Sequence, residues 1–359
     1  MICLAMLRTA LFLSGMATAA LASSLYSVSV IQIPSGFTAV TMTGINASGQ
    51  AAGYGTIGGI TQAFIGSPSG SAPIPVPVGS GWDFSQGYGI NDSGQVVGAG
   101  RINFFNYQAF IGTAAGSTLV PIPGGYAGSL GYGVNNSGQV AGWLLNGLSA
   151  PQEAFVGSTA IPLPAGWNNA NGNGVNATGA VAGYGANGSS VTQAFIYNGS
   201  TSNAIPVLSG WTQTQGWALN DSGLVAGWGN NGTNSQAFIG TASGMTAIPL
   251  PVGATYSYAR GGSINDAGLV VGQSDQGGWI WDQTDGTVLL SGLVPTGWVI
   301  NYAWSISNTG IILAEGSFNG SPNEYVELVS STPEPATWEL GGMGLLLTVL
   351  ARRTILRRR

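Results

Sequence analysis

The stretch Gly44-Ile45-Asn46-Ala47-Ser48-Gly49-Gln50 decides the fold, because close variants of it recur along the chain. Its asparagine, replaced by serine in the last copy, stands at positions 46, 91, 135, 176, 220, 265 and 307. The spacings between these positions are 45, 44, 41, 44, 45 and 42 residues. A repeat of this length is one supersecondary unit that must stack on its neighbours to bury an apolar face.

Each unit contains enough residues for four short strands, as the third unit illustrates. Residues 131–135 and 139–143 are predicted to form a hairpin. The intervening Asn-Asn-Ser-Gly places glycine where a type I turn with a bulge needs a left-handed residue. Residues 160–164 are predicted to be an edge strand, since proline cannot donate to a central ladder, and residues 153–157 are expected to close the unit as its fourth strand.

Seven four-stranded units predict an all-β repeat protein, most simply a seven-bladed β-propeller. An open β-solenoid is the alternative architecture, and six or eight blades also remain open. Strongly polar caps are absent at both ends of the array, which favours a closed ring. Residues 25–33 are rich in β-forming side chains, so we expect them to pair with the last unit and latch the ring.

The repeats share a Gly-hydrophobic-Asn-x-x-Gly hairpin and an Ala-Phe strand such as Gln62-Ala63-Phe64-Ile65. In this they resemble the HAF-type extracellular repeat over about residues 31–328. The resemblance weakens in the last two units, where Trp279-Ile280-Trp281 and Tyr325-Val326 replace Ala-Phe. Histidine is missing before Ala-Phe throughout.

The last 28 residues have three zones: Pro333-Glu334-Pro335, an uncharged run over residues 340–350, and a cluster of arginines at positions Arg352, Arg353, Arg357, Arg358 and Arg359. An apolar stretch with a basic flank sits in a bilayer with its arginines on the cytoplasmic side. The pattern therefore predicts one C-terminal hydrophobic helix, with everything before Pro333 outside the inner membrane.

This order of zones resembles the PEP-CTERM sorting signal of Gram-negative bacteria. The resemblance implies that the inner membrane holds the chain until an exosortase, a membrane-embedded transpeptidase-like enzyme, processes the tail. Glu339 is a departure, and residues 336–351 would span roughly 24 Å as a helix, short of the ~30 Å hydrocarbon core. An uncut tail anchor and a chance amphipathic helix are the alternatives.

The N-terminus also predicts export. Residues 1–22 have one positive charge at Arg8, an apolar segment, and Ala20-Leu21-Ala22 before Ser23, as in a signal peptide. Cys3, the only cysteine, would be removed with it, which excludes disulfides and thiolate metal sites from the mature chain. The predicted organisation is a signal peptide over 1–22, a β-repeat domain over 23–331 and a sorting segment over 332–359.

Composition excludes several classes of function. Only 6% of residues are charged, histidine and lysine are absent, and residues 23–331 contain two bases and eleven acids, a balance of −9. Such a surface repels nucleic acid. Without His or Cys, nucleophilic triads are impossible. The acid cluster Asp275, Asp282 and Asp285 favours a turn over a glycosidase pair, so no catalytic residue, metal or cofactor is predicted.

Several repeat positions have a structural and a functional interpretation. The asparagines at positions 46, 91, 135, 176 and 220 match glycosylation sequons, but turn geometry explains them. The turn acids Asp92, Asp221 and Asp266 offer too few oxygens for calcium. The recurring aromatics Trp82, Trp167, Trp211 and Trp298 either pack between blades or contact glycan on one rim.

Together these features predict a non-enzymatic exported protein of the cell envelope or exopolysaccharide matrix. Its tail would be processed by an exosortase, and its repeats would present a binding surface, with exopolysaccharide as a candidate partner and no nucleic acid. The chain would reside first in the inner membrane, with periplasmic repeats, and then at the cell surface or in the matrix. The alternative is a carbohydrate-binding or carbohydrate-active propeller, either a lectin or a glycoside hydrolase.

Overall fold

Seven four-stranded antiparallel sheets follow one another along the chain and form a seven-bladed β-propeller. The computed structural model describes residues 24–101, 107–146, 152–186 and 191–331. The prediction of an all-β, seven-bladed propeller is therefore confirmed. The predicted signal peptide and the C-terminal helix lie outside the described residues. Within the described residues, no helix is long and apolar enough to cross a membrane.

Each blade runs from an inner strand at the central channel to an outer edge strand. The strands in chain order are β1 (Tyr26–Val30), β2 (Thr38–Ile45), β3 (Ala51–Ile57), β4 (Ile60–Ser67), β5 (Gly70–Pro73), β6 (Phe84–Ile90), β7 (Val96–Arg101), β8 (Tyr107–Thr113), β9 (Gly116–Leu119), β10 (Gly128–Val134), β11 (Val140–Leu145), β12 (Glu153–Val156), β13 (Thr159–Ala160) and β14 (Asn171–Val175). They continue as β15 (Val181–Ala186), β16 (Thr192–Tyr197), β17 (Ser202–Ala204), β18 (Gln213–Leu219), β19 (Val225–Asn230), β20 (Ser235–Thr241), β21 (Gly244–Ala247), β22 (Ser257–Tyr258), β23 (Val270–Ser274), β24 (Gly277–Asp282), β25 (Gly286–Leu289), β26 (Trp298–Ile306), β27 (Ile312–Phe318) and β28 (Glu324–Ser330).

Blades one to six take four consecutive strands each, starting at β2, β6, β10, β14, β18 and β22. The seventh blade combines β26, β27 and β28 with β1, which pairs antiparallel to β28 with Val28 opposite Leu328. The first and last described strands thus complete one sheet. This pairing confirms the expectation that residues 25–33 latch the ring.

The apolar core lies between neighbouring blades. One of its clusters joins Ala63 and Ile74 of the first blade to Val96 and Phe110 of the second. The Ala-Phe motif lies on the third strand of each blade, not on the fourth as predicted, because a short edge strand pairs outside it. It supplies the large buried side chains, namely Phe64, Phe110, Phe155, Phe195 and Phe238, with Trp279 in the sixth blade. The recurring motif is therefore the packing element that stacks each blade on the next.

The predicted edge strand over residues 160–164 is correct in place but wrong in extent. The strand β13 pairs only with β12 and ends at Ala160. Ile161 still donates its N–H to the Ala154 carbonyl oxygen at 2.8 Å, and the ladder then stops. Pro162 and Pro164 have no N–H to continue it, so these residues connect two blades instead.

Candidate functional site

The turn between the first two strands of each blade has the predicted geometry. In the third blade, Gly138 donates its N–H to the Asn135 carbonyl oxygen at 3.0 Å and has a φ of 78°. Asn135 donates its own N–H to the Gln139 carbonyl oxygen at 3.1 Å. A residue with a Cβ avoids this left-handed conformation, which is why glycine recurs at the end of the motif.

The asparagine of each turn also reaches into the next blade. The Asn135 Oδ1 accepts hydrogen bonds from the backbone N–H groups of Ser137 and Gln139 at 3.1 and 2.9 Å. Its Nδ2 donates to the carbonyl oxygen of Asn176 at 2.9 Å. Equivalent donations of 3.0–3.2 Å run from Asn46 to Asn91, Asn91 to Asn135, Asn176 to Asn220, Asn220 to Asn265 and Asn265 to Ser307.

We call these six asparagines and Ser307 the asparagine ring. Serine is too short to reach across, and in the seventh blade Thr309 donates its hydroxyl to the Ala47 carbonyl oxygen at 3.1 Å instead. The ring asparagines expose 5% or less of their surface. Their amides are therefore engaged in bonds between blades, which agrees with the structural interpretation of the sequons.

The turn acids make a second set of contacts between blades. The Asp92 Oδ1 accepts a hydrogen bond from the Ala47 N–H at 2.9 Å, and the Asp221 Oδ1 accepts one from the Ala177 N–H at 2.8 Å. Asp266 does the same for the N–H of Asp221 at 2.8 Å. Among the described residues, no group of three or more histidine, cysteine or acidic side chains could hold a metal ion.

The acids of the second cluster, on the sixth blade, are also engaged in hydrogen bonds. Asp282 accepts hydrogen bonds from the N–H groups of Thr284 and Asp285 at 2.6 and 2.7 Å. Asp275 is bonded by the N–H and hydroxyl of Thr255, and these bonds lower its pKa. The contacts agree with a turn at Asp282 and Asp285, whereas Asp275 bonds to a residue twenty positions earlier in the chain.

A central cavity of about 390 Å³ runs along the inner strands and is lined by all seven blades. Its most prominent side chains stand three residues before the ring position: Tyr88, Tyr132, Trp217 and Trp304. In the remaining blades this position holds Thr43, Asn173 and Gly262. A cavity lined by aromatic surface with a few polar groups is the usual form of a ligand site.

Aromatic residues on the second strands pack against several of these side chains but do not line the cavity themselves. They stand eight residues after the ring position, at Tyr54, Trp143, Tyr184 and Trp228. Tyr132 stacks on both Tyr88 and Trp143 with ring centroids 4.7 Å apart, and Tyr54 meets Tyr88 edge to face at 6.2 Å. We call the eight side chains at these two positions the aromatic belt.

Three tyrosines of the belt, Tyr88, Tyr132 and Tyr184, are neutral phenols. Burial, reinforced by neighbouring tyrosines, raises the pKa of Tyr88 and that of Tyr132 far above the usual value for tyrosine. Burial also raises the pKa of Tyr184, against an opposing hydrogen bond with Asn171. All three are half-buried, so part of their ring surface stays open. The belt is therefore an uncharged, partly exposed aromatic surface around the channel.

The inner strand of the sixth blade departs from the repeat. Its strand β22 ends at Tyr258, and the following segment takes an irregular path in which Gly261 has a φ of 59°. A Cβ on Gly261 would lie 3.1 Å from the Trp304 carbonyl oxygen and 3.2 Å from that of Thr43. Only glycine allows this backbone to approach blades seven and one so closely.

Arg260 lies in this irregular segment and lines the cavity. Its guanidinium carbon is 4.4 Å from the ring centroid of Tyr258 and 5.3 Å from that of Trp228. Burial lowers its pKa from the ordinary value, and Tyr258 opposes that effect. The channel thus combines an aromatic surface with one guanidinium group.

The four tryptophans predicted as glycan contacts lie elsewhere. Trp82, Trp167 and Trp211 pack edge to face on the Ala-Phe phenylalanine of their own blades, with ring centroids 5.9–6.3 Å apart. Trp298 packs on Phe318 at 5.4 Å. None of these four side chains lines the cavity. The contacts favour the packing interpretation, and sugar contact at these positions stays a prediction.

Sequence reasoning missed the aromatic belt, although the signal was present in the aligned repeats. Aromatic residues recur at fixed offsets from the ring position, but only the strand pairing shows that the two offsets lie near one channel. The sorting motif Pro333-Glu334-Pro335 and the arginines at positions 352, 353, 357, 358 and 359 lie outside the described residues. Their role stays a prediction.

No known family profile and no curated protein matches the chain. Among solved structures, a puromycin-hydrolysing peptidase of Mycobacterium tuberculosis has a TM-score of 0.55 at 11% identity, over 83% of this chain and 54% of that one. A puromycin hydrolase has a TM-score of 0.50 at 10% identity, over 82% and 54%. A streptogramin B lyase has a TM-score of 0.48 at 9% identity, over 85% and 98%. The chain spans about half the length of the first two, and similarity at these identities concerns the fold alone.

Proposed function

We propose that this chain is a non-enzymatic exported protein of the cell envelope or exopolysaccharide matrix, and that its propeller binds polysaccharide at the central channel. The aromatic belt is the observation that carries this proposal. A sugar ring has apolar C–H faces and polar hydroxyl edges, so flat aromatic surfaces beside a few hydrogen-bonding groups suit it. Such a combination is typical of small-molecule sites in general.

The sequence supports the export part of the proposal. The features of residues 1–22 are those of a signal peptide, and residues 332–359 resemble a PEP-CTERM tail. Under this proposal an exosortase processes the tail near Pro333-Glu334-Pro335. Before this processing, the inner membrane holds the uncut form through its C-terminal helix, with the arginines on the cytoplasmic side.

Two tryptophans of the fifth blade provide a matched test of binding. Trp217 lines the cavity and contacts Tyr184, whereas Trp211 packs on Phe238 away from the cavity. We expect Trp217→Ala to weaken polysaccharide binding about tenfold, as truncation of an aromatic anchor does. Trp211→Ala should lower thermal stability and leave the affinity unchanged.

The assay is affinity electrophoresis and calorimetry of the full-length protein with a panel of neutral and acidic polysaccharides. Equal affinities for wild type and Trp217→Ala would contradict binding at the channel. Release of new reducing ends during incubation would favour the carbohydrate-active alternative.

Fractionation and intact-mass measurement of the protein from its native host test the sorting part of the proposal. A protein that keeps its tail and stays in the inner membrane would show that the tail is only a membrane anchor.

A further inference from the structure

We propose that the central channel takes an acidic sugar, with the carboxylate of a uronate residue bound by Arg260. This inference rests on the proposed polysaccharide binding and adds the class of ligand. Its starting point is the one inner strand that breaks the repeat. Positions where a protein departs from its own local pattern are expected to be functional or strained sites.

The departure places a cation at the channel. Residues 24–331 contain only two basic residues, Arg101 and Arg260, and only Arg260 lines the cavity. Among the described residues, no carboxylate forms an ion pair with Arg260. Tyr258 and Trp228 offer ring faces to its guanidinium, but ring faces neutralise no charge. A partly buried cation without a counter-ion is costly, and an anionic ligand would remove that cost.

Unpaired donors around the channel point to the same kind of ligand. The Arg260 Nε and the indole N–H groups of Trp217, Trp228 and Trp304 are buried and have no hydrogen-bond partner among the described residues. Buried donors in native proteins are nearly always bonded. Arg260, Trp217 and Trp304 line the cavity, and the Trp228 ring lies against the Arg260 guanidinium. A carboxylate is acceptor-only and matches the planar fork of arginine.

The carboxylates at the channel do not oppose this assignment. Asp92, Asp221 and Asp266 line the turn end of the cavity and are bonded to neighbouring turns. Asp266 follows Arg260 by six residues, so Arg260 and these acids lie at different levels of the channel. Because the acids already accept hydrogen bonds from neighbouring turns, they leave Arg260 available to an anionic ligand.

The test compares two forms of one ligand. Oligogalacturonate and its methyl ester share a backbone and differ in the charge of each carboxyl group. We expect the full-length wild-type protein to bind the acid at least tenfold more tightly than the ester, since hydrogen bonds to charged groups are strong. Arg260→Gln should abolish this preference. Arg260→Lys should keep part of it, because lysine keeps the positive charge but lacks the planar pair of N–H donors that binds a carboxylate in a bidentate way.

Arg101→Gln is the matched control. Arg101 also packs on aromatic rings, Phe84 at 4.3 Å and Tyr107 at 5.2 Å, but it is not part of the cavity lining. Its substitution should leave the preference for the acid intact. If Arg260→Gln does not fold, the salt dependence of wild type and Arg260→Lys decides, because only an ionic contact weakens as salt rises.

Three outcomes separate the two proposals. Equal binding of acid and ester by wild type, or a preserved preference in Arg260→Gln, overturns the assignment of Arg260 and leaves polysaccharide binding standing. Alginate, as a second acidic probe, should follow oligogalacturonate. No binding of either form, of alginate or of neutral laminarin would overturn the proposed function itself, and this inference with it.

Discussion

Removal of one amide from the asparagine ring should weaken the contact between two blades. Asn135→Ala deletes four hydrogen bonds: the Oδ1 accepts two backbone N–H groups, and the Nδ2 donates to the Asn176 carbonyl oxygen and the Gln139 Oε1. A hydrogen bond contributes about 1 kcal/mol net. Ser137 and Gln139 are exposed and can bond water instead, so we expect a loss of about 2–4 kcal/mol.

This loss converts to a shift in melting temperature. The entropy of unfolding is about 2 cal/mol/K per residue, or about 0.6 kcal/mol/K for roughly 300 residues. Asn135→Ala should therefore melt about 3–6 °C below wild type in scanning calorimetry. Asn135→Ser should fall between the two, because Ser307 shows that a hydroxyl at this position still accepts the N–H four residues on, at 3.0 Å.

The neighbouring Asn136→Ala is the control. Asn136 exchanges two hydrogen bonds with Asp92, at 2.9 and 2.7 Å, but both side chains are exposed. Exposed pairs contribute about 1 kcal/mol or less, so the melting temperature should change by less than about 2 °C. Equal shifts for Asn135→Ala and Asn136→Ala would refute the view that the buried amides hold the blades together.

Three further predictions concern the core, the closure and pH. Trp82→Ala removes a side chain that is 9% exposed and packs on Phe110. It should lower the free energy of unfolding measured by calorimetry by about 3–5 kcal/mol and leave the glycan affinity unchanged. Lost affinity at full stability would instead support sugar contact. Deletion of residues 24–30 removes β1 and exposes the edge of β28; size-exclusion chromatography should show aggregation, and a stable monomer would contradict the role of β1 in closure. Burial raises the pKa of Glu327 above its model-compound value of 4.5, so the folded state holds this proton more tightly than the unfolded state. Stability from this group is present at low pH and is lost as pH rises from about 4.5 through the folded pKa; Glu327→Gln should remove that decline, and an unchanged stability–pH profile would contradict it.

The architecture could be predicted because the sequence repeats it seven times. Seven copies of a motif at spacings of 41–45 residues predicted the number of blades, and the Asn-x-x-Gly pattern within each copy predicted the hairpin turns. The closure by residues 25–33 was expected only from their β-forming composition, and the pairing of β1 with β28 confirms it. Periodicity reports on what each unit does locally, and a propeller is largely a sum of such units.

The site could not be predicted in the same way, because it depends on contacts between units. The local bond of Asn135 to its own turn was foreseen, but its donation to Asn176 requires the curvature of the ring. Similarly, no sequence motif marks Arg260 as a residue of the channel. Its position at the channel follows from the early end of β22, which stops seven residues before the ring position, whereas the other six inner strands stop one residue before it.

The pairing of β1 with β28 has a mechanical consequence. Tyr26 lies opposite Ser330, and the Ser331 N–H donates to the Leu25 carbonyl oxygen at 2.8 Å, so both strands leave the sheet at the same end. A force that pulls the two ends of the propeller apart therefore acts on one hydrogen-bonded pair at a time. The two strands then separate one residue pair after another, starting at Tyr26 and Ser330, and the five pairs are not sheared simultaneously. A force on either end therefore acts first on the β1–β28 pair, and the other six blades bear load only after this pair has separated and the ring has opened.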